Sequence, residues 1–151
     1  MSNGKTAVDE VIRLLVVENK SFSADEVMKK AQEVGRAIKE NGTEKTKLRE
    51  YFGQVKSLAT ALKAGTKTLD QARIELYKMK ARIAYDTQRQ GENKKTKRPK
   101  LETLKKLVDL AVEKALKEGA DLKKEVIEFS DFFECVMGYY TFEDKKEVDH
   151  E

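Results

Sequence analysis

The chain has no tryptophan, one cysteine, one proline and one histidine, and only 7% of its residues are aromatic. Each scarcity closes off a class of protein. A lone cysteine, Cys135, forbids an internal disulfide and suits a reducing compartment. It lies inside the apolar run FFECVMGYY and reads as a buried, inert small hydrophobe rather than a nucleophile. The lone histidine, His150, stands in a charged tail with little to hold an imidazole in register with a substrate, so it is not expected to act as a general base. No HExxH, CxxC, Walker or dinucleotide-glycine pattern occurs. Carboxylates are interleaved with lysines, as on solvated helix faces. No enzyme, metal or cofactor is expected. Nor does any apolar run approach the roughly 20 residues that a bilayer span needs, and the opening MSNGKTAVDE is polar. The expectation is a soluble, cytoplasmic protein with no membrane partner.

The scarcity of punctuation also argues for helix. Pro99 is the only proline, and Gly42, Gly65, Gly91 and Gly119 stand where helices would end. No stretch alternates apolar and polar residues as a half-buried strand would. At 151 residues the chain can bury one core, and 39% apolar with 38% charged residues fits helices with wide solvated faces. The pattern predicts an all-α, compact helical bundle of five to six helices in a single domain, 1–151. A helical extension would occupy about 1–43, the core bundle 44–142 and a disordered tail 143–151.

Periodicity places the helices. Val8, Val11, Ile12, Leu15 and Val16 share a face over about 6–18. Ser23 with Glu26 three residues on forms a capping box for a helix to Asn41–Gly42, whose apolar residues Val27, Ala31, Val34 and Ile38 are small and thinly spread. These two helices are expected to be a modest appendage. A stronger helix over 44–64 carries Leu48, Phe52, Val55, Ala59 and Leu62 on one stripe. Thr68 caps the next, over 68–90, which is expected to bury Leu69, Ala72, Leu76, Met79 and Ile83. A second weakly apolar side (Ile74, Tyr77, Ala81, Ala84, Tyr85) suggests that this helix lies centrally. A polar linker, GENKKTKRPK at 91–100, precedes a helix from about Leu101 to Gly119. The last helix, about 122–142, holds the most bulky apolar groups.

Basic side chains line up on the two middle helices. The net charge is only +4, so placement says more than the total. Lys45, Arg49, Lys56 and Lys63 recur at steps of four and seven and fall on one stripe, roughly 60–100° from Leu48 and at the shoulder of the buried face. Lys78, Arg82 and Arg89 do the same on the next helix. Lys80 and Arg73 lie instead beside the core stripe, where Lys80 can bridge to a carboxylate. Two uses fit such stripes, a solvated face or contact with a phosphate backbone. Antiparallel packing across the AGTKT turn would join them in one basic surface, which would fix register without reading bases and bind in a salt-dependent way. Tyr51, Tyr77 and Tyr85 could stack on bases or riboses, core packing being the expected use of at least two of them.

Three stretches then carry a family resemblance. Thr46-Lys47-Leu48-Arg49-Glu50-Tyr51-Phe52 resembles the T-x-L-R-x-aromatic opening of the small helical subunit of type III-A CRISPR effector (Csm) complexes. Met79-Lys80-Ala81-Arg82-Ile83-Ala84-Tyr85, followed by Arg89, resembles that family's L-K-[PA]-[KR]-x-A-Y…R segment. Phe132-Phe133-Glu134-Cys135-Val136-Met137-Gly138-Tyr139-Tyr140 is similar to its F-F-E-x-x-[VA]-x-Y stretch. The order and spacing agree over 44–142, and the chain departs at Asp86, where a small neutral residue is typical.

The resemblance implies a non-catalytic RNA-binding structural subunit in antiviral defence. Copies of the subunit would stack beside the backbone and large subunits, lining the channel in which guide RNA pairs with target RNA and contacting the target backbone. Arg49, Lys80, Arg82 and Arg89 match basic positions of the motifs, whereas Lys45, Lys56, Lys63 and Lys78 rest on stripe geometry alone. The alternative is a helical protein-interaction adaptor without RNA affinity.

Overall fold

A computed structural model describes residues 23–89 and 100–149. The expected helix at 6–18, most of the 91–100 linker and His150 lie outside the described residues. Within them the chain forms five α-helices and no strand: α1 Ala24–Asn41, α2 Lys45–Ala64, α3 Leu69–Gln88, α4 Glu102–Leu116 and α5 Leu122–Asp149. The all-α bundle expected from periodicity is the observed architecture.

Local chemistry sets the boundaries. Ser23 and Glu26 exchange side-chain and backbone hydrogen bonds in the expected capping box at the start of α1. Thr68 and Gln71 build a second box at α3. Gly42 and Gly65 end α1 and α2 at φ 93° and 73°, where a Cβ would strain the backbone. The last helix does not stop near 142 as expected but continues to Asp149.

α5 is the central element, packed by α1, α2 and α4, while α3 lies to the outside against α4 and the edge of α2. α5 contributes Val126, Phe133, Val136 and Tyr140 to the core. Phe133 meets Phe52 of α2 and Phe129 of its own helix, each with ring centroids 5.5 Å apart. α1 is not an appendage. Ala31, Val34 and Ile38 are fully buried, and Gly35 lies so close to α5 that an added Cβ would stand 2.9 Å from the Val136 carbonyl oxygen. Small residues that looked weakly apolar in sequence allow the helix to dock closely instead.

The α1–α2 turn is tied down from both sides. Tyr140 Oη donates to the Thr43 carbonyl at 2.8 Å, and the Thr43 hydroxyl donates to the Lys100 carbonyl at 2.5 Å. These bonds satisfy polar groups that the turn buries, and they fix the start of α2. Lys114 of α4 and Glu125 of α5 form a largely buried ion pair at 2.6 Å.

The expectation of a central α3 is overturned. Ala72, Leu76, Met79 and Ile83 are buried, but Leu69, at the tip of the α2–α3 hairpin, is not. Its second apolar side, with Ile74, Tyr77 and Tyr85, faces solvent. Among the described residues no helix is long and apolar enough to cross a membrane.

Candidate nucleic-acid interface

α2 supplies the first set of cations. Its core stripe, centred on Leu48, Val55, Ala59 and Leu62, is held inward by burial. The helical twist then leaves Arg49, Lys56 and Lys63 exposed on one flank, with Lys45 half-buried in the first turn. From Lys45 to Lys63 the row climbs roughly 27 Å at 1.5 Å per residue. Lys56 Nζ sits 5.7 Å from the centre of the Phe52 ring, so this flank adjoins the α2–α5 seam. Among the described residues, no carboxylate pairs with these four cations.

α3 handles its cations differently. Arg82 is bound by the Glu50 carboxylate of α2, and its guanidinium lies 6.0 Å from the centre of the Tyr51 ring. Lys80 bridges to Glu113 of α4 at 3.1 Å, as its place beside the core suggested. Arg73 pairs with Asp70 at 2.8 Å. Lys78 and Arg89 are exposed and, among the described residues, unpaired. Half of the matched basic positions are thus engaged within the fold.

The two stripes do not merge into one basic surface. Around α2, Glu50, Gly53, Gln54 and Ser57 occupy the arc between Arg49 and the side that meets α3. These residues, with Leu58, form one wall of an open groove of about 740 Å³. Lys67, Glu75, Lys78, Met79 and Arg82 form the rest. Lys78 and Arg82 therefore share the groove with Lys67, whereas Lys45, Arg49, Lys56 and Lys63 stand outside it. The polar row on α2 separates the sets because the stripe lies on the α5 side of α2 and the groove on the α3 side.

A buried polar network joins α2 to α3 behind this groove. Tyr51, fully buried, donates from Oη to Asp86 Oδ2 at 2.5 Å. Lys47 Nζ lies 3.5 Å from the same oxygen and 3.4 Å from Glu50. Burial, then the hydrogen bond and charge of Asp86, hold the Tyr51 phenol well above its ordinary pKa. Asp86 is thus an internal acceptor rather than a charge facing a ligand. Of the three tyrosines considered for stacking, Tyr51 alone is in the core, and Tyr77 and Tyr85 are exposed.

Sequence reasoning did not single out Lys67, Gln54, Ser57 or Gly53. The available signal was Gly53, a glycine inside a helix where a Cβ would meet nothing within 4 Å. Cys135 is half-buried rather than buried. Burial first, then Glu134 and Asp131, push its thiol pKa up, so it is a poor nucleophile. Among the described residues, no three His, Cys, Asp or Glu side chains converge as metal ligands.

No curated protein and no solved structure matches the chain. The family model described as Csm2 Type III-A does, over residues 21–146. That span takes in α1, which the motif resemblance beginning at residue 44 had left out. With the whole described bundle up to residue 146 inside the match, the chain belongs to the Csm2 Type III-A family and is a subunit of a type III-A CRISPR complex, with that complex's other subunits as its partners.

Proposed function

We propose that this subunit is non-catalytic and binds RNA, with copies of it lining the channel in which guide RNA pairs with target RNA. The observation that carries this reading is the α2 row, Arg49, Lys56 and Lys63, with Lys45 at its start. These cations are aligned on one flank and, among the described residues, free of carboxylates. Pairing a cation within the fold lowers what it can offer a phosphate, so Arg82 and Lys80 contribute less than their motif positions suggest. Sequence is then read by base pairing, while the subunit recognises the shape and charge of the paired strands.

The test is a triple charge reversal, Arg49→Glu with Lys56→Glu and Lys63→Glu, in the reconstituted effector complex. All three side chains are exposed, so the fold should survive, as circular dichroism would verify. Each phosphate contact contributes about 0.7 to the salt slope for a single strand, so three should lower the slope by about 2. Target-RNA affinity should fall with it. An assembled complex with unchanged affinity and salt slope would remove the α2 row from the interface.

A further inference from the structure

The outward face of α3 is apolar where a solvated helix would be polar. Ile74, Tyr77 and Tyr85 are 54, 62 and 60% exposed. With the exposed Ala81 they follow the i, i+3, i+7, i+11 spacing of a single stripe. Tyr77 and Tyr85 stand two turns apart, roughly 12 Å along the axis. The methyl of Ala81 lies between them, so no large side chain fills the gap between the rings.

One edge of this stripe is basic. Lys78 and Arg89 border it, exposed and unpaired among the described residues. The same edge opens onto the α2–α3 groove, where Lys67, Lys78 and Arg82 converge. On the far wall, Gln54 and Ser57 offer polar groups, and Gly53 leaves open the space that a Cβ would take. Two carboxylates share the groove. Glu50 is neutralised by Arg82 and Lys47, and Glu75 is left as its uncompensated acid among the described residues.

We propose that this face and groove form a site for unpaired nucleotides. Bases stack on Tyr77 and Tyr85, and the phosphate backbone runs along Lys78 and Lys67. The inference rests on the RNA-binding reading above and adds contact with bases to contact with backbone. An apolar stripe alone would equally suit a protein. A polymer with planar apolar faces on one side and regular negative charge on the other also accounts for the adjoining cationic groove. Stacking is tolerant of sequence because every base has a π-face.

The experiment uses the full-length protein with two single-stranded oligonucleotides of equal length and charge, one carrying bases and one abasic. Wild type should prefer the strand with bases, each ring contributing roughly fivefold or more. Tyr77→Ala with Tyr85→Ala should abolish the preference and leave abasic binding unchanged. Tyr77→Phe with Tyr85→Phe should retain it. Because the chain lacks tryptophan, its tyrosine emission is unmasked and should be quenched only by the strand with bases. Equal affinity of wild type for both strands, or a preference that survives the alanine changes, would overturn the proposal. So would alanine variants that lose self-association or assembly while keeping the preference, since the face would then be a protein contact. The α2 charge reversal should weaken both strands alike. If that weakening occurs without any base preference, the stacking site falls and the proposed function stands; if neither occurs, both fall.

Discussion

Replacing Tyr51 by phenylalanine removes one oxygen from the interior and leaves the ring in place. The lost hydroxyl donates to Asp86 Oδ2 at 2.5 Å, and the pair is shut from solvent, with Tyr51 at 0% and Asp86 at 5% exposure. A hydrogen bond to an ionised acceptor contributes roughly 1.5–3 kcal/mol. Asp86 keeps Lys47 Nζ at 3.5 Å, so the carboxylate is not orphaned and a loss of about 2 kcal/mol is expected. For a chain of this size that lowers Tm by roughly 4–8 °C, read by circular dichroism at neutral pH.

The same bond has a pH signature. The folded state holds the Tyr51 proton well above the ordinary phenol range, chiefly through burial and then through Asp86. The unfolded chain releases it near pH 10. The stabilisation is therefore complete below about pH 10 and declines as pH rises beyond it, by at most about 1.4 kcal/mol per pH unit. Tyr51→Phe has no such proton, so its stability gap from wild type should narrow by about 1.4 kcal/mol between pH 9 and pH 11. Denaturant titrations across that range measure the gap. A variant as stable as wild type at pH 7, or a gap that stays constant to pH 11, would refute the view that this bond staples α2 to α3.

Other consequences of the packing are open to direct measurement. Gly35→Ala places a Cβ against α5 backbone atoms, 2.9 Å from Val136 O and 3.2 Å from Tyr140 N. It should cost about 1–3 kcal/mol in urea unfolding even though alanine favours helix. Gly53→Ala meets nothing within 4 Å and should stabilise by up to about 1 kcal/mol; a loss of stability would show that α2 is more tightly covered than its exposure indicates. Alkylation of Cys135 should follow a pH profile displaced above that of a free thiol, because burial and the nearby Glu134 and Asp131 disfavour the thiolate. A midpoint at or below the ordinary thiol range would contradict that environment.

What the sequence made legible was local, and what it hid was set by neighbours. The Ser23–Glu26 box, the Thr68 cap and the glycine stops at Gly42 and Gly65 depend on residues within a turn of one another, so pattern alone found them. Helical periodicity likewise found Leu48, Val55 and Leu62. Periodicity reports which side of a helix is apolar, however, and not whether another element covers it. That is why the Ile74–Tyr77–Tyr85 side of α3 read as buried although it faces solvent. It is also why Ala31 and Val34 read as weak although they are fully buried in the α1–α5 contact, where Gly35, which drew no notice in the sequence, lets the helices approach.

Stripe geometry has the same blind spot for charge. Arg82 read as part of a basic stripe, yet Glu50 reaches it from α2 and Glu75 of its own helix lines the same groove. Lys80 is answered from α4 by Glu113. A cation's availability to phosphate is a property of the packed pair of helices. By that criterion the row on α2 gains weight, because among the described residues no neighbouring helix offers it a carboxylate. On α3 the emphasis moves from Arg82 to Lys78, Arg89 and the two exposed tyrosines between which its helix face lies open.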